Sequence, residues 1–448
     1  MFLKNYRQSK FVQHSLTLVA GATLAQAIPV LVSPLLTRLY VPSDFGELAI
    51  YMTIISIASV VVTGRYELAI VLPERKQDSA NVSVLTVLLS FVTSLLLFLL
   101  FLVFKPFIFR FVESEVLRQW LYVLPLIVFF QGVSQVFNNW LNKQKHYRKI
   151  SEARIYQSLT TSGSRVGFGF QSFGTAGLLY GNLLGSIVGG LVTAFFALRN
   201  NLRVFRGVTL NEIKTLAVRY KKFPKFSMST GLVNTVSKNI PVIALTGYFS
   251  AGIVGFFALA NRILKMLMLL IGRSVSRVFY ERASELVHDK KKLGEASFKL
   301  YNRLLLIGVG SLGVIMFFGD HLFAFVFGEK WLNAGNYARV LSFWILFNFT
   351  ASPLSFILTV LEKQEKSFFW EILLFVVRVL PFIIGIALGF GAFKLIAVFS
   401  LLSGLYYFGF CIYTLNQVHV PIGKIILNTF LILFSIGGAL GVLRMIIF

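Results

Sequence analysis

The chain has 448 residues, of which 56% are hydrophobic and 14% charged, with a net charge of +25 and a mean hydropathy of +0.76. A soluble domain would carry about 25% charged residues, so that class is excluded. The single Cys411 excludes an internal disulfide and a cysteine metal cluster, and His14, His146, His288, His321 and His419 lie scattered without ligand spacing.

In chain order, Lys4, Arg7 and Lys10 precede an apolar run, and Ala25-Gln26-Ala27 mimics a signal-peptidase site. The run continues through Ile28-Pro29-Val30-Leu31-Val32 to Leu36, long enough to cross a hydrocarbon core about 30 Å thick. It therefore reads as a retained first helix, 15–39. Further membrane segments are expected at 45–72, 80–104, 118–141, 152–172 and 174–198. A second set falls at 226–248, 251–280, 299–319, 336–361, 368–389 and 394–415, and a thirteenth apolar run at 425–447. Long runs rich in Leu, Phe and Gly favour helices over the short alternating segments of a barrel. The expected fold is an all-α polytopic membrane protein.

The second segment ends in TGRYELAIVLPERK, 63–76, which sets Arg65 and Glu67 inside an apolar run. On a continuous helix Arg65 would stand about 12 Å above the end near Pro73. Two positions apart is about 200° around that helix, so Arg65 and Glu67 would not pair.

Lys and Arg concentrate in alternate loops, among them Lys143, Lys145, Arg148 and Lys149, then 199–225, then Arg282 and Lys290 to Lys292. This bias places the N-terminus inside. Topology and contact with anionic lipid account for the basicity without nucleic acid. Within the longest inner loop, Thr209-Leu210-Asn211-Glu212 is a capping box. Leu210, Ile213, Leu216, Ala217 and Tyr220 then recur at helical spacing, which describes a short helix on the membrane surface linking two halves. Gly181, Gly185 and Gly189, spaced by four, form a stripe for close helix approach.

The two halves look related. Ala27-Ile28-Pro29-Val30 matches Asn239-Ile240-Pro241-Val242, and Gly64-Arg65 falls beside Gly272-Arg273, at an offset of about 210. Parallel repeats imply a pseudo-two-fold along the membrane normal. The expected organisation is an N-terminal six-helix lobe at 1–198, a cytoplasmic amphipathic linker at 199–225, a C-terminal six-helix lobe at 226–415 and an additional apolar helix at 416–448. The repeat sets Arg65 opposite Arg273 across that axis.

Ionisable groups at membrane depth cost on the order of 3 kcal/mol each and normally face a cavity or a partner. They include Arg165, Lys238 and Arg378, with Arg262, Lys265, Arg273 and Arg277 along one stripe of the eighth segment. Arg165 and Arg378 could form structural pairs, Arg378 with Glu371. The acids at this depth are fewer, namely Glu47, Glu67 and Glu371, with Asp44 at the edge. A cationic interior calls for an anionic guest, and guanidinium groups suit phosphate. The candidate substrate-binding residues are Arg65, Lys238, Arg262, Lys265, Arg273 and Arg378. Glu67 and Glu371 are candidates for ion coupling. No catalytic constellation or metal set emerges, the outer loops are short, and transport is the better reading than enzyme chemistry.

SPLLTRLYVPSDFGELAIY (33–51), TGRYELAIVLPE (63–74), RYKKFPKFS (219–227), NTVSKNIPVIAL (234–245), FFALANRIL (256–264), LFAFVFGEKWLNAGNYARVL (322–341) and SPLSFILTVLEKQ (352–364) resemble the polysaccharide or oligosaccharide flippases (Wzx type) of the multidrug/oligosaccharidyl-lipid/polysaccharide exporter superfamily. The resemblance covers about residues 12–415. It implies two six-helix lobes around a cationic cavity in the bacterial cytoplasmic (inner) membrane. It also implies a sugar repeat unit on undecaprenyl pyrophosphate as cargo, moved from the cytoplasmic to the periplasmic leaflet by alternating access for O-antigen, exopolysaccharide or capsule synthesis. No cofactor is expected beyond a possible coupling ion, H+ or Na+. Membrane lipids, a polysaccharide polymerase and its chain-length machinery are the expected partners. The competing readings are a multidrug antiporter or a peptidoglycan-precursor flippase of the same superfamily. The thirteenth run departs from the usual twelve helices and leaves the side of the C-terminus open.

Overall fold

The structure is a computed structural model and describes residues 21 and 23–447; among them there are helices and no strand. The chain divides into two compact units, one up to Asn239 and the other from Ile240.

In the first unit, α1 (Thr23–Leu39) and α2 (Pro42–Val61) are followed by a 3-10 segment, Tyr66–Val71. Then come α3 (Lys76–Val103), α4 (Leu124–Lys143), α5 (Tyr147–Phe170) and α6 (Gly174–Leu198). The earlier part of the expected first segment, before Gly21, lies outside the described residues. The linker forms α7 (Leu210–Arg219) and a π-helical turn, Phe223–Ser227. That turn leads into α8 (Met228–Tyr248), and the division between units falls inside α8.

The small-residue stripe of α6 acts as expected. A Cβ on Gly185 would stand 1.8 Å from Thr161 Oγ1, and one on Gly181 would stand 2.4 Å from Arg165 Cγ. Only glycine lets α5 lie this close to α6. Arg165 is buried there, and its Nε donates to the Leu178 carbonyl at 3.2 Å.

The linker helix differs from its expectation. Thr209 Oγ1 accepts from Glu212 N at 3.4 Å, but Glu212 does not close the box. Asn81 of α3 does so, its Oδ1 accepting from Thr209 N at 3.2 Å while its Nδ2 donates to Glu212 at 2.6 Å. Ile213, Leu216 and Tyr220 are buried in protein rather than laid on lipid. Leu216 and Tyr220 join Tyr66, Val133 and Trp140 in one apolar core. The linker is therefore a packed part of the first unit.

The second unit contains α9 (Ala251–Glu285), α10 (Lys290–Phe327), α11 (Leu332–Leu354), α12 (Gln364–Ala387), α13 (Ala392–Asn416) and α14 (Ile422–Ile447). The last is the thirteenth apolar run, and it lies along α10 in parallel. Lys424 Nζ sits 5.0 Å from the Phe298 ring, Asn428 donates to Asn302 at 2.6 Å, and Thr429 meets Tyr301 at 2.8 Å. Near its end Arg444 Nη2 donates to Asp320 at 2.8 Å, and Asp320 also accepts from Arg339 of α11 at 2.9 Å. Pairing that keeps one register from 424 to 444 makes α14 cross whatever α10 crosses.

Among the described residues, eight helices are long and apolar enough to span a membrane. By these bounds they are α2, α3, α6, α10, α11 extended to Val360, α12, α13 and α14. The chain is a multi-pass helical membrane protein. The helices α4, α5 and α8 have 20, 24 and 21 residues but are too polar for that test, and α9, of 35 residues, carries charges along an otherwise apolar helix. α4 carries Gln131, Gln135, Asn138 and Asn139, and α8 and α9 carry Lys238, Asn239, Asn261, Arg262 and Lys265. Charged groups on helices of spanning length need surroundings other than lipid, and α8 and α9 carry most of the candidate residues.

Candidate functional site

In the first unit the site is built on a helix break. The expectation of one helix over 45–72 is corrected, because α2 stops at Val61. Gly64 and Arg65 then take left-handed backbone, with φ of 55° and 61°. Glycine adopts this conformation freely, whereas an arginine there is strained. The reversal also overturns the expectation that Arg65 and Glu67 point apart. Arg65 Nη1 lies 3.4 Å from Glu67 Oε1, with side-chain exposures of 27% and 3%. Glu67 Oε2 and Arg65 Nε are buried without a hydrogen-bond partner.

The break is held from outside. Tyr66 donates its hydroxyl to the Ala217 carbonyl of α7 at 2.9 Å. Arg65 rests on α8, where a Cβ on Gly231 would come within 2.4 Å of its Nη2. Higher on α8, Asn239 donates to Ser56 at 3.1 Å and accepts from Thr53 at 3.3 Å, both on α2. Lys238, beside it, is exposed. Two irregular segments therefore meet here, the 3-10 turn and the π-helical entry to α8. Non-helical backbone at membrane depth is tolerated where protein or a water-filled cavity can satisfy it.

In the second unit, Arg262 and Lys265 are three residues apart, about 60° around α9. Lys265 Nζ lies 5.8 Å from the centre of the Trp344 ring on α11. That indole stacks on Tyr407 of α13, centroids 6.3 Å apart at 23°. Tyr407 Oη in turn accepts from Arg378 Nη2 of α12 at 3.2 Å. Four helices thus bring Lys265 and Arg378 onto one aromatic pair. A cation over the face of an indole is drawn by the ring quadrupole. Tyr407 is a partner of Arg378 that the sequence did not indicate, and Glu371, the expected one, is exposed on α12. Trp344 is buried, and its indole N–H has no acceptor. The side chains of Arg273 and Arg277 lie outside the described residues.

Trp344 and Tyr407 had no distinguishing signal in the sequence, since an aromatic residue in an apolar span is usually core. Glu47, on α2, has its Oε2 buried without a partner. No group of three or more His, Cys, Asp or Glu side chains that could hold a metal ion occurs among the described residues.

Comparisons with known proteins agree with this architecture. Residues 35–336 match the family described as "Polysaccharide biosynthesis protein". The teichuronic acid biosynthesis protein TuaB of Bacillus subtilis (strain 168) is 24% identical over 284 residues, 63% of this chain. The match spans 58% of that relative's length. Among solved structures, the lipid II flippase MurJ in an inward closed conformation superimposes with a TM-score of 0.69 at 14% identity, covering 97% of both chains. A transporter of the MOP superfamily from Pyrococcus furiosus gives 0.55 at 15% identity, over 91% of this chain and 95% of that one. An outward-facing multidrug resistance transporter of the MATE family gives 0.54 at 16%, over 92% and 96%. The fold is that of MOP-superfamily transporters.

Proposed function

The chain belongs to the polysaccharide biosynthesis protein family, and we propose that it is a flippase that carries a lipid-linked oligosaccharide, anchored through pyrophosphate, between membrane leaflets. The observation that carries this reading is the joint placement of Lys265 and Arg378 on the Trp344–Tyr407 pair. Cations from two helices, held at membrane depth by aromatic rings, make a local positive field suited to an anionic headgroup. In this reading Lys265 and Arg378 meet the pyrophosphate or acidic sugars together with Arg65, Lys238, Arg262 and Arg273. The name of the relative, a teichuronic acid biosynthesis protein, supports a polysaccharide precursor as cargo. The lipid-carrying function in the name of MurJ supports a lipid-linked one. Glu67, with one carboxylate oxygen buried and unpartnered beside Arg65, is the better placed of the two acids for coupling to H+ or Na+. Glu371 is the second candidate. The work is done in the bacterial inner membrane, with the polymerase as the consumer of the product.

The test is complementation of a strain lacking the gene, with surface polymer and accumulated lipid-linked intermediate measured together. The Lys265→Ala, Arg378→Ala double variant should reach the membrane at wild-type level, lose polymer and accumulate intermediate. Normal polymer from that variant would sink the proposal. A multidrug antiporter would instead make the deletion strain drug-sensitive, with polymer unchanged.

A further inference from the structure

One face of α4 carries uncharged polar groups that the cationic site leaves unassigned. Gln131, Ser134, Gln135, Asn138 and Asn139 recur at i, i+3, i+4, i+7 and i+8, so they share one side of the helix. All five are half-buried, whereas Val133, Val136, Phe137 and Trp140 on the other side are buried. α4 packs against α3 and α6, both long and apolar enough to span a membrane, so the amides stand at membrane depth. An amide turned toward lipid would give up its bonds to water without replacement. This face therefore answers to protein, water or cargo.

Protein satisfies part of it. Ser59 of α2 donates to Gln131 Oε1 at 2.6 Å, and that bond pins the oxygen while Nε2 of Gln131 makes none among the described residues. Gln135 Nε2 reaches the Ser59 carbonyl at 3.5 Å, the long limit of such a bond. Asn139 Nδ2 donates one turn back, to the Gln135 carbonyl at 3.0 Å. Ser56 lies three residues before Ser59, about 60° around α2, and accepts from Asn239 of α8 at 3.1 Å. α2 thus carries a row of hydroxyls with amides on both flanks. The row is electrically neutral, because no charged residue occurs from Leu48 to Gly64 or from Leu124 to Asn142. It is also continuous with the charged site, since the 3-10 segment that follows Arg65 packs on α4.

Resting on the flippase reading, we propose that this neutral row recognises the uncharged hydroxyl groups of the carried saccharide, while the cations hold its acidic anchor. A carboxamide offers two donors and an acceptor, and a sugar hydroxyl is donor and acceptor at once, so the two pair in either sense. A row without charge neither draws nor repels an anion, which leaves the anionic part of the cargo to Arg65 and the other cations. From Gln131 to Asn139 the amides cover about 12 Å of helix, a length that meets more than one sugar ring. A site built to bond hydroxyl groups discriminates strongly against a ligand that lacks them.

The test compares two probes, the lipid-linked intermediate extracted from a strain lacking the gene and undecaprenyl pyrophosphate, which has no sugar. Binding of each to the purified full chain is measured by native mass spectrometry in one detergent. The wild type should prefer the sugar-bearing probe. Gln131→Met keeps the side-chain length and should weaken that probe about fivefold, the effect of one lost neutral hydrogen bond, with undecaprenyl pyrophosphate unchanged. Asn139→Leu should act in the same direction. Unchanged binding of the sugar-free probe also shows that each variant is folded. The Lys265→Ala, Arg378→Ala double variant should instead weaken both probes. The inference alone is overturned if the wild type binds both probes equally, or if Gln131→Met and Asn139→Leu weaken both alike or neither. A wild type that binds neither probe overturns the flippase reading, and this inference with it.

Discussion

Adding a single methyl group at Gly231 tests whether the Arg65–Glu67 pair is a built feature. A Cβ there would stand 2.4 Å from Arg65 Nη2, 2.9 Å from Nε and 3.1 Å from Cζ. The guanidinium must move, and Glu67, at 3% side-chain exposure, is left facing a displaced partner. Breaking a fully buried pair costs roughly 3–5 kcal/mol. Arg65 is 27% exposed and the contact is 3.4 Å, so solvent screening brings the cost below that range, to about 2 kcal/mol. Alanine in a helix gains up to about 1 kcal/mol over glycine, which leaves Gly231→Ala net destabilising by about 1 kcal/mol. Gly247 lies on the same helix, and a Cβ there meets nothing within 4 Å, so Gly247→Ala should gain what Gly231→Ala loses. Thermal melting of the purified variants in one detergent reads the contrast. If both act on the same pair, Gly231→Ala and Glu67→Gln will combine less than additively. Equal shifts for the two alanine variants, or strict additivity with Glu67→Gln, would refute the argument.

The same assay addresses the anchor of α14. Asp320→Ala leaves Arg339 and Arg444 facing each other without their shared carboxylate and should cost about 3 kcal/mol, whereas Arg444→Ala, itself a quarter exposed, should cost about 1 kcal/mol. Gly185→Val drives a side chain into Thr161 and should prevent stable insertion, read as loss of monodisperse protein on size exclusion. Because Cys411 is buried, a cysteine placed at 446 and one at 289 can be labelled with little background, and they should react from opposite sides of the membrane. His146 has a lowered pKa, so the unfolded chain binds its proton first. Stability from this group is complete above about pH 6.5, the ordinary histidine value, and falls as pH drops through the lower folded value. His146→Asn should flatten that acid-side slope in melting curves.

The eight long apolar helices were legible because about 20 apolar residues have few other uses, and the stripe at Gly181, Gly185 and Gly189 was legible because spacing by four fixes one helix face. Half of the capping box was legible. The Thr209 contact is local, but the role of Glu212 passed to Asn81, more than a hundred residues earlier, which no local pattern encodes. The break at Gly64 was hidden by the apolar run on either side of it. A glycine followed by a charged residue is a common mark of a helix C-terminus, and here the hydrophobic run concealed it. Lys265 and Arg378 could be nominated by depth alone, whereas the rings that join them could not, because stacking depends on how α11, α12 and α13 pack.

Two membrane-depth arginines show how the same device serves two ends. Gly181 makes room for the stem of Arg165, whose Cγ and backbone N lie 2.4 and 3.2 Å from where a Cβ would be. With the stem trapped between α5 and α6 and Nε on the Leu178 carbonyl, Arg165 is committed to packing. Gly231 instead makes room for the head of Arg65, leaving its stem on a strained, left-handed residue and a quarter of its side chain accessible. Strain of about 1–2 kcal/mol at a non-glycine residue persists only where the surroundings impose it. Here Tyr66 tied to α7 and the guanidinium seated on α8 supply that constraint. In the proposed function, a guanidinium with its head seated on glycine, one acid beside it and exposed surface remaining is the one that would exchange that acid for an incoming anion, whereas Arg165 has its stem trapped between two helices.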